Sequence, residues 1–174
     1  MIGRLVGFDT TSRESNLALI DFVRDYLDRW RVKSELVFDS ARRKANLYAT
    51  IGPTDVGGVM LSGHSDVVPV DGQDWASDPF KIETRDGRLY GRGSADMKSF
   101  IAIALAKVPE FVGRALDVPI HLALTYDEEV GCIGVRSLVA SLAGRAVKPR
   151  LCVIGEPTSM KPVVAHKGSR RLRC

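Results

Sequence analysis

Apolar residues along this chain gather into short unbroken runs and two helical stretches, with polar turns between them. Leu19, Phe22 or Val23, Tyr26 and Trp30 recur at helical spacing, which predicts an amphipathic helix with one face in the core. Thr11-x-x-Glu14, just ahead of it, has the form of a capping box. Strand-like segments follow at 33–38 and 46–51, and Gly52-Pro53 breaks the second; 59–61 is a third short run. A loop is expected over 70–86, closing in a small hairpin around Asp86-Gly87. Residues 97–108, apolar apart from Lys98, Ser99 and Lys107, predict a largely buried helix. Residues 118–124, apolar except for His121, suit a central strand covered on both faces. A helix near 135–142 and a last strand-like run at 151–154 complete the series. Strands and helices in this order read as an α/β fold, uninterrupted by repeats, low-complexity tracts or an interdomain linker.

Four of the apolar runs share one peculiarity: each is joined to a short motif rich in carboxylates or histidine. The motifs are GHSDVVP from Gly63, GSADMKS from Gly93, TYDEEVG from Thr125 and IGEPTS from Ile154. In open α/β sheets the ligand crevice lies outside the carboxyl ends of the strands, so residues just past strand ends meet although long stretches separate them in sequence. Each motif alone has a plain structural reading. His64-x-Asp66 suits an Asx-type turn, and Asp96 suits an N-cap for the helix that follows. Asp127-Glu128-Glu129 suits the first turn of the next helix, and Gly155-Glu156-Pro157 an ordinary turn. Their conjunction points instead to a metal site.

Neutral imidazole is a common metal ligand, and its free ring N–H usually needs a carboxylate to fix tautomer and orientation. Asp66, two positions beyond His64, suits that role. Three adjacent carboxylates at 127–129 repel one another, so a cation relieves an electrostatic cost and neighbours can divide ligation from proton transfer. Proline at 157 biases Glu156 toward extended backbone, off the strand end. Together His64, Asp96, Glu129 and Glu156 offer nitrogen and oxygen without thiolate, which suits zinc, cobalt or manganese in an open catalytic site. With Asp96 bridging, two ions about 3.5–4 Å apart can share a water and polarise a substrate carbonyl. Glu128 is then the natural general base and acid, and the chemistry is amide hydrolysis. His121 reads as a core or sheet histidine, and the glycines around Arg92 lack the dinucleotide-binding pattern.

These motifs, with the W-x-x-D-P-F of residues 75–80 and the longer run YGRGSADMKSF, resemble the co-catalytic zinc aminoacylase and peptidase family, from about Leu5 to Gly168. That family includes acetylornithine deacetylase, succinyl-diaminopimelate desuccinylase and carboxypeptidase G. DTTS at 9–12, IGEPT and VVAHKG at 163–168 look most like its acetylornithine deacetylase group. The resemblance implies a mixed, largely parallel twisted sheet with helices on both faces. It makes His64, Asp96, Glu129 and Glu156 metal ligands, Asp66 the active-site aspartate behind the histidine, and Glu128 the general base. It implies two zinc ions per complete site, with cobalt as a substitute, a small N-acyl amino acid as substrate and a homodimer for the full-length form. The expected reaction converts N2-acetyl-L-ornithine to L-ornithine and acetate, a step of arginine biosynthesis; a sister amidohydrolase or dipeptidase activity is the alternative.

Family members run to roughly twice this length, as a catalytic domain plus an inserted lid and dimerisation domain require. A second histidine ligand, normally late in the catalytic domain, has no counterpart, because His121 and His166 sit in the wrong segments. After Gly168 the tail SRRLRC no longer resembles the family. The expectation is therefore the N-terminal part of a metal-dependent catalytic domain over 1–168 and a divergent basic tail over 169–174, with the lid absent and the chain by itself an inactive, truncated fragment.

Composition changes this picture little. The 174 residues suffice for one domain, and 45% apolar content fits a globular chain. No apolar run approaches the ~20 residues of a membrane span and the start lacks an apolar signal region, so no membrane partner and a cytoplasmic location are expected. Net charge is +4, but Lys167, Arg170, Arg171 and Arg173 carry all of it, which leaves residues 1–166 balanced and argues against a nucleic-acid partner. Cys132, Cys152 and Cys174 form no C-x-x-C pair and are expected as reduced thiols.

Overall fold

The computed structural model describes residues 1–165, 167 and 168; the basic tail at 169–174, with Cys174, and His166 lie outside the described residues. In chain order the elements are α1 (Ile2–Val6), α2 (Leu17–Arg29), β1 (Ser34–Phe38), β2 (Ala45–Ile51), β3 (Val59–His64), β4 (Glu83–Arg85) and β5 (Arg88–Tyr90). A wide turn at Ser94–Lys98 leads into α3 (Ser99–Ala106), followed by α4 (Val108–Val112), β6 (Ile120–Thr125), α5 (Val135–Ala143) and β7 (Leu151–Ile154).

Five strands form one sheet in the order β1-β2-β6-β3-β7. β3 is parallel to both β6 and β7, while β2 is antiparallel to both β1 and β6, so β2 alone runs against the common direction. This is the mixed, largely parallel α/β sheet that the resemblance implied. Alternation along the strands divides it into two faces. Leu47, Ala49, Ile51, Leu122 and Leu124 point into the main core against α1, α2 and α3, where Leu5, Leu19, Ile20, Leu27, Ile101 and Leu105 are buried. Tyr48 and Ala123 point the other way, onto Leu138 of α5. Helices therefore cover both faces.

The small hairpin β4–β5 turns at Asp86 and Gly87 with φ of 48° and 72°, the positive pair that a two-residue hairpin turn requires. Two local expectations are corrected. Thr11 and Glu14 do not cap α2, which begins at Leu17 after Asn16. The Thr11 hydroxyl donates instead to Asp9 Oδ1 at 2.7 Å, and the Asn16 amide pairs with Ala45 of β2; a local turn bond and a tertiary pairing take the place of the cap. The apolar stretch over 97–108 is also not one helix. Its first residues belong to the wide turn, and α4 starts anew with Pro109 in its first turn, where the missing N–H costs nothing. The strand-like run at 151–154 is β7, an edge of the sheet with Leu151, Val153 and Ile154 exposed.

Candidate metal centre

Strands β3, β6 and β7 are parallel and level, with His64 opposite Thr125 and Ser62 opposite Ile154. Residues that follow each strand therefore emerge on one rim, which places Asp66, Glu128, Glu129 and Glu156 together. Asp96 arrives from the turn before α3. That turn lies close against β3 because position 63 has no side chain; a Cβ there would come 2.9 Å from Ile101 and 3.1 Å from Met97. Gly155 plays the same part under Phe100, whose ring would meet a Cβ at 1.9 Å.

The plain local readings of two motifs do not describe this arrangement. α3 is preceded by Lys98 and has no side-chain cap, so Asp96 is not its N-cap. α5 has no acidic residue in its first turn; the three carboxylates sit in a separate turn, with Asp127 at φ 55° and Ile133 N–H bonded back to the Asp127 carbonyl at 3.0 Å.

His64 is only 3% exposed, and its Nε2 lies 2.9 Å from Asp96 Oδ1, 3.9 Å from Glu156 Oε1 and 4.0 Å from Glu128 Oε2. One ligand atom each from His64, Asp96 and Glu156 falls within 4.8 Å of the others. Glu128 stands beside this group. Glu129 shares with Asp96 a cavity of about 190 Å³ that Arg92 and Val68 also line. Asp66 is not part of the group but lies behind it. Its backbone carbonyl is 2.9 Å from His64 Nδ1, and its carboxylate accepts the Ser12 hydroxyl at 2.7 Å and the N–H groups of Glu128 at 3.1 Å and Glu129 at 3.3 Å. One buried aspartate thus orients both the imidazole and the turn that carries the two glutamates.

Electrostatics follow from crowding. Burial works to lower the His64 pKa, but Asp66, through its hydrogen bonds and charge, and Asp96 outweigh it and raise the value from 6.5 to about 9. Burial raises Glu129 and Glu156, and the Asp96 charge adds to both. At neutral pH His64 is therefore an imidazolium whose Nε2–H donates to Asp96. A divalent cation bound by these residues takes the place of that proton. Zinc uptake at pH 7 is accordingly expected to release close to one proton from His64, with release falling toward zero as pH rises past about 9. Calorimetric titration in buffers of different ionisation enthalpy measures it, and a buffer-independent heat at pH 7 would contradict the assignment. The donor set itself, one imidazole nitrogen and two carboxylates without thiolate, fits zinc or a similar borderline ion.

Outside this group, His121 lies in the sheet, 6% exposed, with Nδ1 2.8 Å from the Tyr48 hydroxyl and 2.9 Å from that of Thr50. Two residues that sequence reasoning passed over adjoin the centre. Lys98 is fully buried, and its ammonium donates to the Phe8 carbonyl at 2.8 Å; burial lowers its pKa to about 8 against the opposing pull of Asp9 and Asp66. Its signal was visible as a lysine inside an otherwise apolar run. Ser12, 8% exposed, closes a buried polar run, Thr10 to Ser12, that has no reason to be buried unless it bonds to something.

Comparison with known proteins gives the family and the fold. The sequence pattern of peptidase family M20/M25/M40 matches residues 60–167. The chain is 38% identical over 156 residues to the acetylornithine deacetylase of Pasteurella multocida (strain Pm70), covering 89% of this chain and 40% of that protein. It is 40% identical over 156 residues to that of Edwardsiella ictaluri (strain 93-146), with the same shares. Among solved structures it resembles human carnosine dipeptidase 1, with TM-score 0.74 and 25% identity over 87% of this chain and 36% of that one. The M20 family metallo-carboxypeptidase Sso-CP2 from Sulfolobus solfataricus shares the fold, with TM-score 0.76 at 19% identity over 88% of this chain and 36% of that one. The chain spans about 40% of the length of the curated relatives it matches.

Proposed function

Because the chain belongs to peptidase family M20/M25/M40, we propose that its rim of carboxylates is part of the centre of a metal-dependent amide hydrolase that takes the acetyl group from N2-acetyl-L-ornithine, leaving L-ornithine and acetate. The observation that carries this reading is the approach of His64, Asp96 and Glu156 to within 4.8 Å of one another, with Glu128 beside them. The substrate follows from the relatives named acetylornithine deacetylase at 38–40% identity.

In this reading residues 1–168 are the N-terminal part of the catalytic domain. His64, Asp96 and Glu156 hold one zinc ion, cobalt being able to replace it, and Asp96 with Glu129 faces a second. When bound, zinc supplies Lewis-acid polarisation of the scissile carbonyl and makes water acidic. The chain's own part is proton handling and aim. Glu128 takes the proton of the attacking water and passes it to the leaving nitrogen. Asp66 keeps His64 and the Glu128 turn at fixed distance from each other. A homodimeric, cytoplasmic enzyme is the setting we propose; no helix among the described residues is long and apolar enough to cross a membrane.

In an enzyme completed to the length of its relatives, turnover of N2-acetyl-L-ornithine is expected to exceed that of N-succinyl-diaminopimelate, to disappear with chelator and to return with zinc. A preference for the succinylated substrate moves the assignment to the sister activity. Turnover indifferent to chelator overturns the metal-dependent reading.

A further inference from the structure

We propose that Phe8–Ser12 is a positioning strap for this centre, in which Ser12 sets the aim of Asp66 and Lys98 ties the strap to the turn that carries Asp96. The inference rests on the metal-centre reading above and adds to it a stretch outside the four rim motifs, Phe8–Ser12, fastened by Lys98 of the motif GSADMKS.

The strap runs beside the segment that follows β3. Thr11 and Val67 form a lone parallel bridge, in which Val67 N–H donates to the Thr10 carbonyl at 3.1 Å and Ser12 N–H to the Val67 carbonyl at 3.1 Å. The Thr10 hydroxyl donates to the Ser65 carbonyl, so the backbone on both sides of Asp66 is held. From that platform the Ser12 hydroxyl donates to Asp66 Oδ2 at 2.7 Å, while its backbone N–H donates to the Val67 carbonyl. At the opposite end the buried Lys98 ammonium donates to the Phe8 carbonyl at 2.8 Å, two positions from Asp96 in sequence. Lys44 donates both to the Ser12 carbonyl and to Asp127, fastening the glutamate turn to the same strap.

Three of the four rim segments, all but the one that carries Glu156, are therefore bonded to one five-residue stretch. Thr10, Thr11 and Ser12 are 2%, 1% and 8% exposed, and their buried hydroxyls are spent on these fastenings and on Asp9. Carboxylates that orient a histidine ligand are worth about 10–100-fold in metal affinity, and a hydroxyl that orients such a carboxylate acts through it.

The test is zinc titration of the 174-residue chain as wild type, Ser12→Ala, Ser12→Thr and Lys98→Met, with cobalt absorption spectra and thermal unfolding of the metal-free proteins measured in parallel. Ser12→Ala is expected to bind zinc about 10-fold more weakly and to shift the cobalt spectrum, with Ser12→Thr restoring both. Lys98→Met is expected to weaken zinc without lowering the unfolding temperature, since a buried charge is exchanged for an apolar chain of similar length. Should Ser12→Ala not fold, Lys98→Met carries the same decision. Wild-type affinity and spectrum in both variants, or affinity losses that merely follow lost folding, overturn the strap. A wild-type chain that takes up no zinc overturns the metal-centre reading, and the strap's role with it.

Discussion

Glu128→Gln, made in an enzyme completed to full length, is expected to keep its metal and lose about 10²–10⁴-fold in kcat, the usual worth of a positioned acid–base group. The amide has the shape of the carboxylate but cannot carry a proton. Glu129→Gln is expected to do the reverse, lowering metal content before it lowers turnover per bound metal. The distinction has a geometric basis. Glu128 Oε2 stands 4.0 Å from His64 Nε2 with its side chain 39% exposed, and Glu128 is not among the three residues whose ligand atoms all lie within 4.8 Å of one another. Glu129 shares its cavity with Asp96, whose charge helps to raise its pKa after burial. Metal analysis alongside kcat separates the roles: metal lost with Glu128→Gln and kept with Glu129→Gln means that the two carboxylates exchange parts.

Asp66→Ala is expected to destabilise the metal-free chain by about 3–5 kcal/mol, the range for removing one partner of a buried pair. The change strands the His64 imidazolium, the Ser12 hydroxyl and the N–H groups of Glu128 and Glu129, all of which Asp66 serves. The effect depends on pH with a definite sign. His64 has a raised folded pKa, so its share of the pairing is complete below 6.5 and is lost as pH rises through about 9. Asp66 is opposite: burial works to raise it, but His64, Ser12 and the Glu128 N–H outweigh that and lower it from 3.8, so its share is present above that value and lost as pH falls through its folded pKa. The stability gap between wild type and Asp66→Ala is therefore widest between about pH 4 and 6.5. Urea denaturation across pH measures it; a gap that is flat from pH 4 to 9 would show that charge pairing contributes little and that packing alone is lost.

Sequence by itself determined the elements whose signal is local. The apolar patterns located β1, β2, β6 and α5 within a residue or two and the buried stripe of α2, though not its start, because burying one face demands that spacing regardless of partners. The Asp86-Gly87 turn was equally legible, since few residue pairs accept two positive φ values. The candidate centre was legible as a set of residue types after strand-like runs, and strand ends converge in any open α/β sheet. Tertiary structure decided what depends on competition between partners. Thr11 had a local cap within reach and took Asp9 and the Val67 bridge instead; Asp96 had a helix to cap and was drawn to His64. Whether Lys98 and Ser12 were solvated or buried rested on the carbonyl of Phe8 and the carboxylate of Asp66, groups 90 and 54 positions away in the chain. A polar side chain is buried only where a partner offsets its desolvation, and here the Thr11–Val67 bridge and the close packing of the turn before α3 on β3 bring those partners within reach.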